Sequence, residues 1–269
     1  MGIDKADFYM ECETEGSIPR LMTVFASAER IPATYGPIRS ARSPFVDTAK
    51  ELGVVYTFSG ATSHVLNRLS GLDVLNAGKI GNAAFWRDEY LTQHVTNYHN
   101  LVTSGEKIAA VIAKEGYSQT ATKQWPFTFG EKTGDIAANR VQLHSTPSHK
   151  VTFIYDADSG LYGKNIGTLN SYKPHKTLEG NQIQVSNVLV LYANKFVENK
   201  DSKYTWYNFD MGSGTGYLIS GGTAREITFT RSETSLVIKE ADGTTAQFAT
   251  GKTYMILADK DLAEDIIFE

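Results

Sequence analysis

The 269-residue sequence predicts an α+β fold in which layered β-sheets carry helices on one side, a ββα-type sandwich. Three observations point there. Before residue 117, helix-like segments with cap signals alternate with β-branched runs, so that residues 1–117 read as an α/β-like N-terminal part. Residues 150–269 are nearly all strand and turn, a mainly antiparallel C-terminal part. Between them, 118–149 is rich in Ser, Thr, Gly and Lys with few periodic apolar runs. It reads as a linker, or as an ordered loop with a strand or two, compatible with packing as one continuous unit.

Taken in order, Phe8-Tyr9-Met10-Glu11-Cys12-Glu13 alternates apolar and polar like a half-buried strand. Ser43-Pro44 opens a helix, with Ser43 as the cap and Pro44 at the first helical position, and Gly53 ends it. Val54-Val55-Tyr56-Thr57-Phe58 is a strand, and Thr62-Ser63 starts a second helix that closes near Gly71. Thr103-Ser104-Gly105-Glu106 forms a capping box with Thr103 as the cap. It precedes Ile108, Val111 and Ile112 on one helical face, and Gly116 ends that helix. Further strands are expected at 151–155, 185–192, 204–210, 216–220, 226–230, 235–239, 245–248 and 253–258, with Asp242-Gly243 as a hairpin turn and no long helix in 185–258.

Composition excludes several functions. A net charge of −4 argues against non-specific nucleic-acid binding, which needs a basic face. The single Cys12 rules out an intrachain disulfide and a Cys-rich metal site, and reads as a buried core thiol. The histidines, His64, His94, His99, His144, His149 and His175, include no i, i+4 zinc pair, so no metal is expected. Met211-Gly212-Ser213-Gly214-Thr215-Gly216 is glycine-rich, but a phosphate loop needs a helix after it. Tyr217-Leu218-Ile219-Ser220 reads as strand, so a tight turn or bulge is expected there and no cofactor. No run of 18 apolar residues exists, and no signal peptide or lipid-attachment cysteine stands near the start. The abrupt opening Met1-Gly2-Ile3-Asp4 reads as a trimmed chain that has lost an export segment.

Tyr35-Gly36-Pro37-Ile38-Arg39-Ser40-Ala41-Arg42 resembles the Gly-Pro-[Ile/Val]-Arg-Ser-Ala-Arg signature of the YerB-like family, a domain of unknown function in bacterial lipoproteins. Matching pieces precede it at Ala6-Asp7, Glu11, Glu15-Gly16 and Arg20. Others follow at Ser59-Gly60, Phe85-Trp86-Arg87-Asp88 and His99-Asn100-Leu101-Val102-Thr103-Ser104. The second half matches at Tyr155-Asp156, Asn187-Val188-Leu189-Val190, Gly212-Ser213-Gly214 and Gly251-Lys252-Thr253. The family's usual strand before Ala6 is missing, and Tyr254 and the Thr228–Arg231 region stand where tryptophans are usual. The resemblance implies an extracytoplasmic protein, lipid-anchored to the membrane of a Gram-positive-type bacterium in its full-length form. It supplies no reaction.

The polar positions in the matching blocks are the candidate ligand-binding residues: Glu11, Glu15, Arg20, Arg39, Arg42, Arg87, Asp88, His99 and Asn100, with Asp47 nearby in sequence. Guanidinium groups suit carboxylate or phosphate, and the start of the helix after Arg42 would add N–H donors. The same residues could instead neutralise one another in structural ion pairs. Two functions follow: a non-enzymatic envelope protein that binds a wall polymer or a protein partner, or an enzyme on an anionic envelope polymer with Glu11, Glu15 or His99 as acid or base. The first is favoured unless a carboxylate proves to sit unpaired in a cleft beside the arginines.

Overall fold

The computed structural model describes residues 1–95, 98–118, 127–231 and 235–269. The chain forms two compact units, and these do not follow the division into 1–117, 118–149 and 150–269. One unit is 1–6, 24–125 and 177–179; the other is 7–23, 126–176 and 180–269. The strand Phe8–Glu15, near the N-terminus, therefore belongs with the C-terminal strands.

The first unit is built from short elements around a small core. The helix Gly105–Glu115 turns Ile108, Val111 and Ile112 inward against Ile38, Leu75, Ala84 and Phe85. Spacing of three and four residues puts those side chains on one face, and each large apolar group buried contributes about 1.5–3 kcal/mol. The cap of this helix is Ser104, whose hydroxyl accepts from Lys107 N–H at 3.3 Å, and not the expected Thr103. The Thr103 hydroxyl instead donates to the buried Ala84 carbonyl at 2.8 Å. Gly116 closes the helix with left-handed backbone, as expected. The helix Ser43–Leu52 also begins one residue off the expectation. Its cap position is Arg42, no side chain caps it, and Ser43 lies within the first turn beside Pro44. The helix Ser63–Leu66 follows Thr62. Tyr56–Phe58 pairs in parallel with Val74–Asn76, and Trp86–Arg87 pairs antiparallel with Leu101–Val102.

The second unit contains an eight-stranded sheet and a six-stranded sheet. The larger runs Leu236–Glu240, Thr223–Arg231, Thr205–Ser220, Asn187–Lys200, Thr253–Asp259, Phe8–Glu15, Ile18–Val24, with Ile136–Ala137 as the eighth strand pairing off this path with Thr223–Arg231. Neighbours are antiparallel except around Thr253–Asp259, which runs parallel to both Asn187–Lys200 and Phe8–Glu15. Two stretches of its central strands, 188–191 and 254–258, are apolar and buried without interruption, as a strand segment covered on both faces requires. The smaller sheet holds Arg140–Thr146, His149–Asp156, Leu161–Thr168 and Ser171–Pro174 in succession. Phe153 from it packs edge-on against Tyr254 of the larger sheet, ring centroids 5.5 Å apart.

The expected strands at 204–210 and 216–220 are one strand, Thr205–Ser220. Tyr192 pairs with Thr215 and Asn194 with Asp210, so 211–214 bulge out of that ladder while Ser213 and Gly214 pair with Thr230 and Phe229 on the other side. The glycine-rich run is thus a bulge inside a long strand, one of the two forms expected for it. Strands Leu161–Thr168 and Ser171–Pro174 were not anticipated; Gly163, Gly167 and Lys164 break their apolar alternation. In the expected linker, 119–126 lie outside the described residues, and Arg140–Thr146 is a full sheet strand. Among the described residues no helix falls within 185–258, and none is long and apolar enough to cross a membrane. The protein is a mixed α+β molecule with layered sheets and few helices.

Candidate functional site

The two most specific sequence blocks, 35–42 and 99–104, lie against each other in the first unit. Tyr35 and Thr103 exchange both backbone hydrogen bonds at 2.8 and 2.9 Å, and Ile38 N–H donates to the Leu101 carbonyl at 2.7 Å. Gly36 (φ 155°) makes this approach possible, because a Cβ there would stand 2.9 Å from the Leu101 carbonyl oxygen. The side chains that follow from these blocks converge on Tyr98–Asn100. The Arg39 guanidinium donates to the Tyr98 carbonyl. Arg87 Nη1 donates to Asn100 Oδ1 at 2.5 Å, and Asn100 Nδ2 donates to Thr92 Oγ1 at 2.9 Å. Asp88 receives the Leu91 N–H at 2.8 Å, capping the helix Glu89–His94, while its own N–H reaches the Asn100 carbonyl.

The outcome is a fixed loop with an open outer side. Asn100 is 2% exposed and buried by its partners, whereas Tyr98 is 78% exposed and His99 and Arg87 are also exposed. The exposed Tyr90 stacks on His94 with ring centroids 4.2 Å apart, on the helix that Asp88 caps. Arg42 Nη1 donates to the Ala41 carbonyl at 2.8 Å. Asp47 is held by Arg68, which reaches both carboxylate oxygens at 2.6 Å. Arg39, Arg87, Asp88, His99 and Asn100 are therefore brought to one loop, and Asp47 is engaged elsewhere, by Arg68.

Glu11, Glu15 and Arg20 belong to the second unit. Residues at i, i+2 and i+4 of a strand share a face. Glu11, Glu13 and Glu15 accordingly form a row along Phe8–Glu15, and every residue of that strand is buried. Each carboxylate has its own cation. Glu15 meets Arg20 at 2.5 Å, Glu13 meets Lys195 at 2.8 Å, and Glu11 meets Lys164 at 3.1 Å. Lys195 also reaches Asp259 at 3.4 Å.

The Glu11 pair is the most deeply placed, with side chains 5% and 1% exposed. Tyr254 Oη donates to Glu11 at 2.5 Å, and Lys164 Nζ lies 3.0 Å from His175 Nδ1. Burial pushes the Glu11 carboxyl up, but Lys164, the Tyr254 hydroxyl and Ser145 together hold it down at about 2. Burial, reinforced by Lys164, holds the His175 imidazole down at about 4. The Tyr254 phenol is pushed up by burial and by Glu11. Cys12, on the opposite face of the strand, is a fully buried thiol pushed up by burial and by the three glutamates. This matches the expected core thiol, because a thiol held protonated is a poor nucleophile.

Sequence reasoning missed Lys164, Lys195, Arg68 and Tyr98. A signal existed for the lysines: three glutamates on one face of a buried strand require three cations, although nothing in the sequence says which. Tyr98 carried no signal beyond its place before His99-Asn100. Among the described residues no His, Cys, Asp and Glu group is arranged to hold a metal ion.

Fold and loop motifs together point to a two-segment family of unknown function. Residues 1–118 match the N-terminal domain of DUF3048, a protein of unknown function, residues 140–255 match its C-terminal domain, and the chain belongs to that family. It is similar to the "Putative lipoprotein YerB" of Bacillus subtilis (strain 168), 24% identical over 271 residues, covering 97% of this chain and 78% of the relative. The crystal structure of the YerB protein from Bacillus subtilis aligns with a TM-score of 0.81 at 23% identity, over 99% of this chain and 87% of that one. That likeness carries the fold.

Proposed function

We propose that this protein is the extracytoplasmic, lipid-anchored type of protein that its relative's name describes, and that it acts by binding a cell-envelope component and not by catalysis. The observation that carries the reading is the fate of the acids. Glu11 is ion-paired with Lys164, Glu15 with Arg20, and Asp88 is spent on a helix cap. A general acid or base must be in hydrogen-bond reach of a substrate, and a carboxylate 5% exposed beside its own lysine is not.

The binding surface in this reading is the outer side of Tyr98–Asn100. An exposed tyrosine on a backbone held by Arg39, flanked by Arg87 and His99, offers a ring face, a guanidinium and an imidazole. Such a surface suits an anionic wall polymer. Because the loop is already ordered by Asn100 and Asp88, little conformational entropy is lost on binding.

Co-sedimentation with purified bacterial cell walls tests this. The expected result is salt-sensitive pelleting that Tyr98→Ser, a change at a side chain 78% exposed, reduces at unchanged thermal stability. No pelleting at low salt, or equal pelleting of the variant, refutes it.

A further inference from the structure

Just past the glycine-rich bulge, the strands Asn187–Lys200, Thr205–Ser220 and Thr223–Arg231 line a cavity that the reading above does not use. It has a volume of about 260 Å³ and is lined in part by Tyr192, Thr215, Tyr217, Glu226, Thr228 and Ala263. The pairing registers explain why these residues meet. Tyr192 pairs with Thr215 and Thr215 with Thr228, while Tyr217 pairs with Glu226. Cross-strand partners and i, i+2 neighbours point to one side of a sheet, so all five project from one face of three adjacent strands. Gly216 is also in the wall, and a Cβ there would stand 1.9 Å from the Val190 carbonyl oxygen.

One polar group in this wall is unsatisfied. Tyr192 is 3% exposed, and its hydroxyl is buried without a hydrogen-bond partner. A buried hydroxyl left unpaired is destabilising, and a native fold recovers that loss when something supplies the missing bond. Burial, with Tyr217 and Asp265 nearby, pushes the Tyr192 phenol up, so it stays protonated and can both donate and accept. Tyr217 offers a second ring, braced by Phe268 at 5.0 Å between ring centroids. Thr215 and Thr228 add hydroxyls, and Glu226 adds a carboxylate acceptor. No Lys, Arg or His is among the lining residues; Lys239 stands one strand further, opposite Thr228.

We propose that this cavity is a binding site for one neutral sugar ring. A pocket below the usual range of roughly 300–1,000 Å³ takes a ring-sized group rather than a larger ligand. Aromatic rings, hydroxyls that both donate and accept, and a carboxylate match the apolar faces and hydroxyl edges of a neutral sugar. The carboxylate in the wall repels phosphate and carboxylate ligands. The site is formed wholly by the second unit and stands or falls apart from the Tyr98–Asn100 surface.

The test is ligand-observed NMR on the full chain with glucose and N-acetylglucosamine as neutral probes, glucosamine as the cationic probe and glucose 6-phosphate as the anionic one. The neutral sugars are expected to bind at millimolar concentration and the phosphate ester not at all. Tyr192→Phe deletes one hydroxyl and is expected to weaken binding by about tenfold without lowering the melting temperature. Should that variant fail to fold, Ala263→Leu, which fills the cavity, is expected to abolish binding. The proposal is overturned if neither neutral sugar binds at tens of millimolar, or if either folded variant binds like the parent. It is equally overturned if the phosphate ester binds as well as glucose, or glucosamine more than about tenfold better.

Discussion

Replacing Lys164 by methionine keeps the volume of the side chain but strands the carboxylate of Glu11 in the interior of the second unit. The two groups are 3.1 Å apart with side chains 1% and 5% exposed, so neither water nor salt screens the loss. Removing one partner of such a buried pair costs about 3–5 kcal/mol. The sign of the pH dependence then inverts. In the parent, Glu11 is held at about 2, below its ordinary 4.5. Its contribution is present above about pH 4.5 and is lost as the pH falls toward 2. In Lys164→Met, burial dominates and raises the carboxyl, so the variant is least deficient where Glu11 can take up a proton. Urea unfolding followed by far-UV circular dichroism at about pH 5 and about pH 8 reads both effects. The account predicts a deficit of about 3–5 kcal/mol at the higher pH, smaller at the lower, and largely removed by adding Glu11→Gln. A loss below about 1 kcal/mol, or a double variant no more stable than the single one, would refute the buried-pair assignment.

Three further outcomes are expected. Ser104→Ala destabilises the first unit by about 1 kcal/mol through loss of the cap, read as a lower denaturation midpoint. Thr103→Val costs about 1–3 kcal/mol for a different reason, since the buried Ala84 carbonyl loses its donor. His175, held at about 4 against an ordinary 6.5, takes up its proton more readily unfolded than folded. The parent therefore loses stability as the pH falls from about 6.5 to about 4, and His175→Gln flattens that part of the profile in thermal melts.

Where local chemistry decides the structure, the sequence was readable. Glycines at 53 and 116 end their helices, Asp242-Gly243 turns its hairpin, and the 253–258 run is a strand because nothing in it is polar enough to face water. Long-range pairing was not readable. Phe8–Glu15 pairs in parallel with Thr253–Asp259, across almost the whole chain, and no local pattern specifies that partner. The two cap assignments failed by one residue each: the Ser43–Leu52 helix starts at Ser43 itself with no side-chain cap, and at the other helix two neighbouring hydroxyls compete and burial chooses between them. Thr103 lost to Ser104 once its hydroxyl found the Ala84 carbonyl. The candidate polar residues fell into two groups for a similar reason: a list ordered by sequence cannot separate a loop constellation in one unit from an ion-paired strand face in the other.

The most direct test of the central claim is to incubate the purified protein with intact cell walls and analyse the pellet and the supernatant of the same sample. The account predicts protein in the pellet, released by salt, and a supernatant without newly solubilised sugar, phosphate or peptide fragments at any time point. Time-dependent release of such fragments, abolished by Glu11→Gln or Glu15→Gln, would contradict it and make this an enzyme.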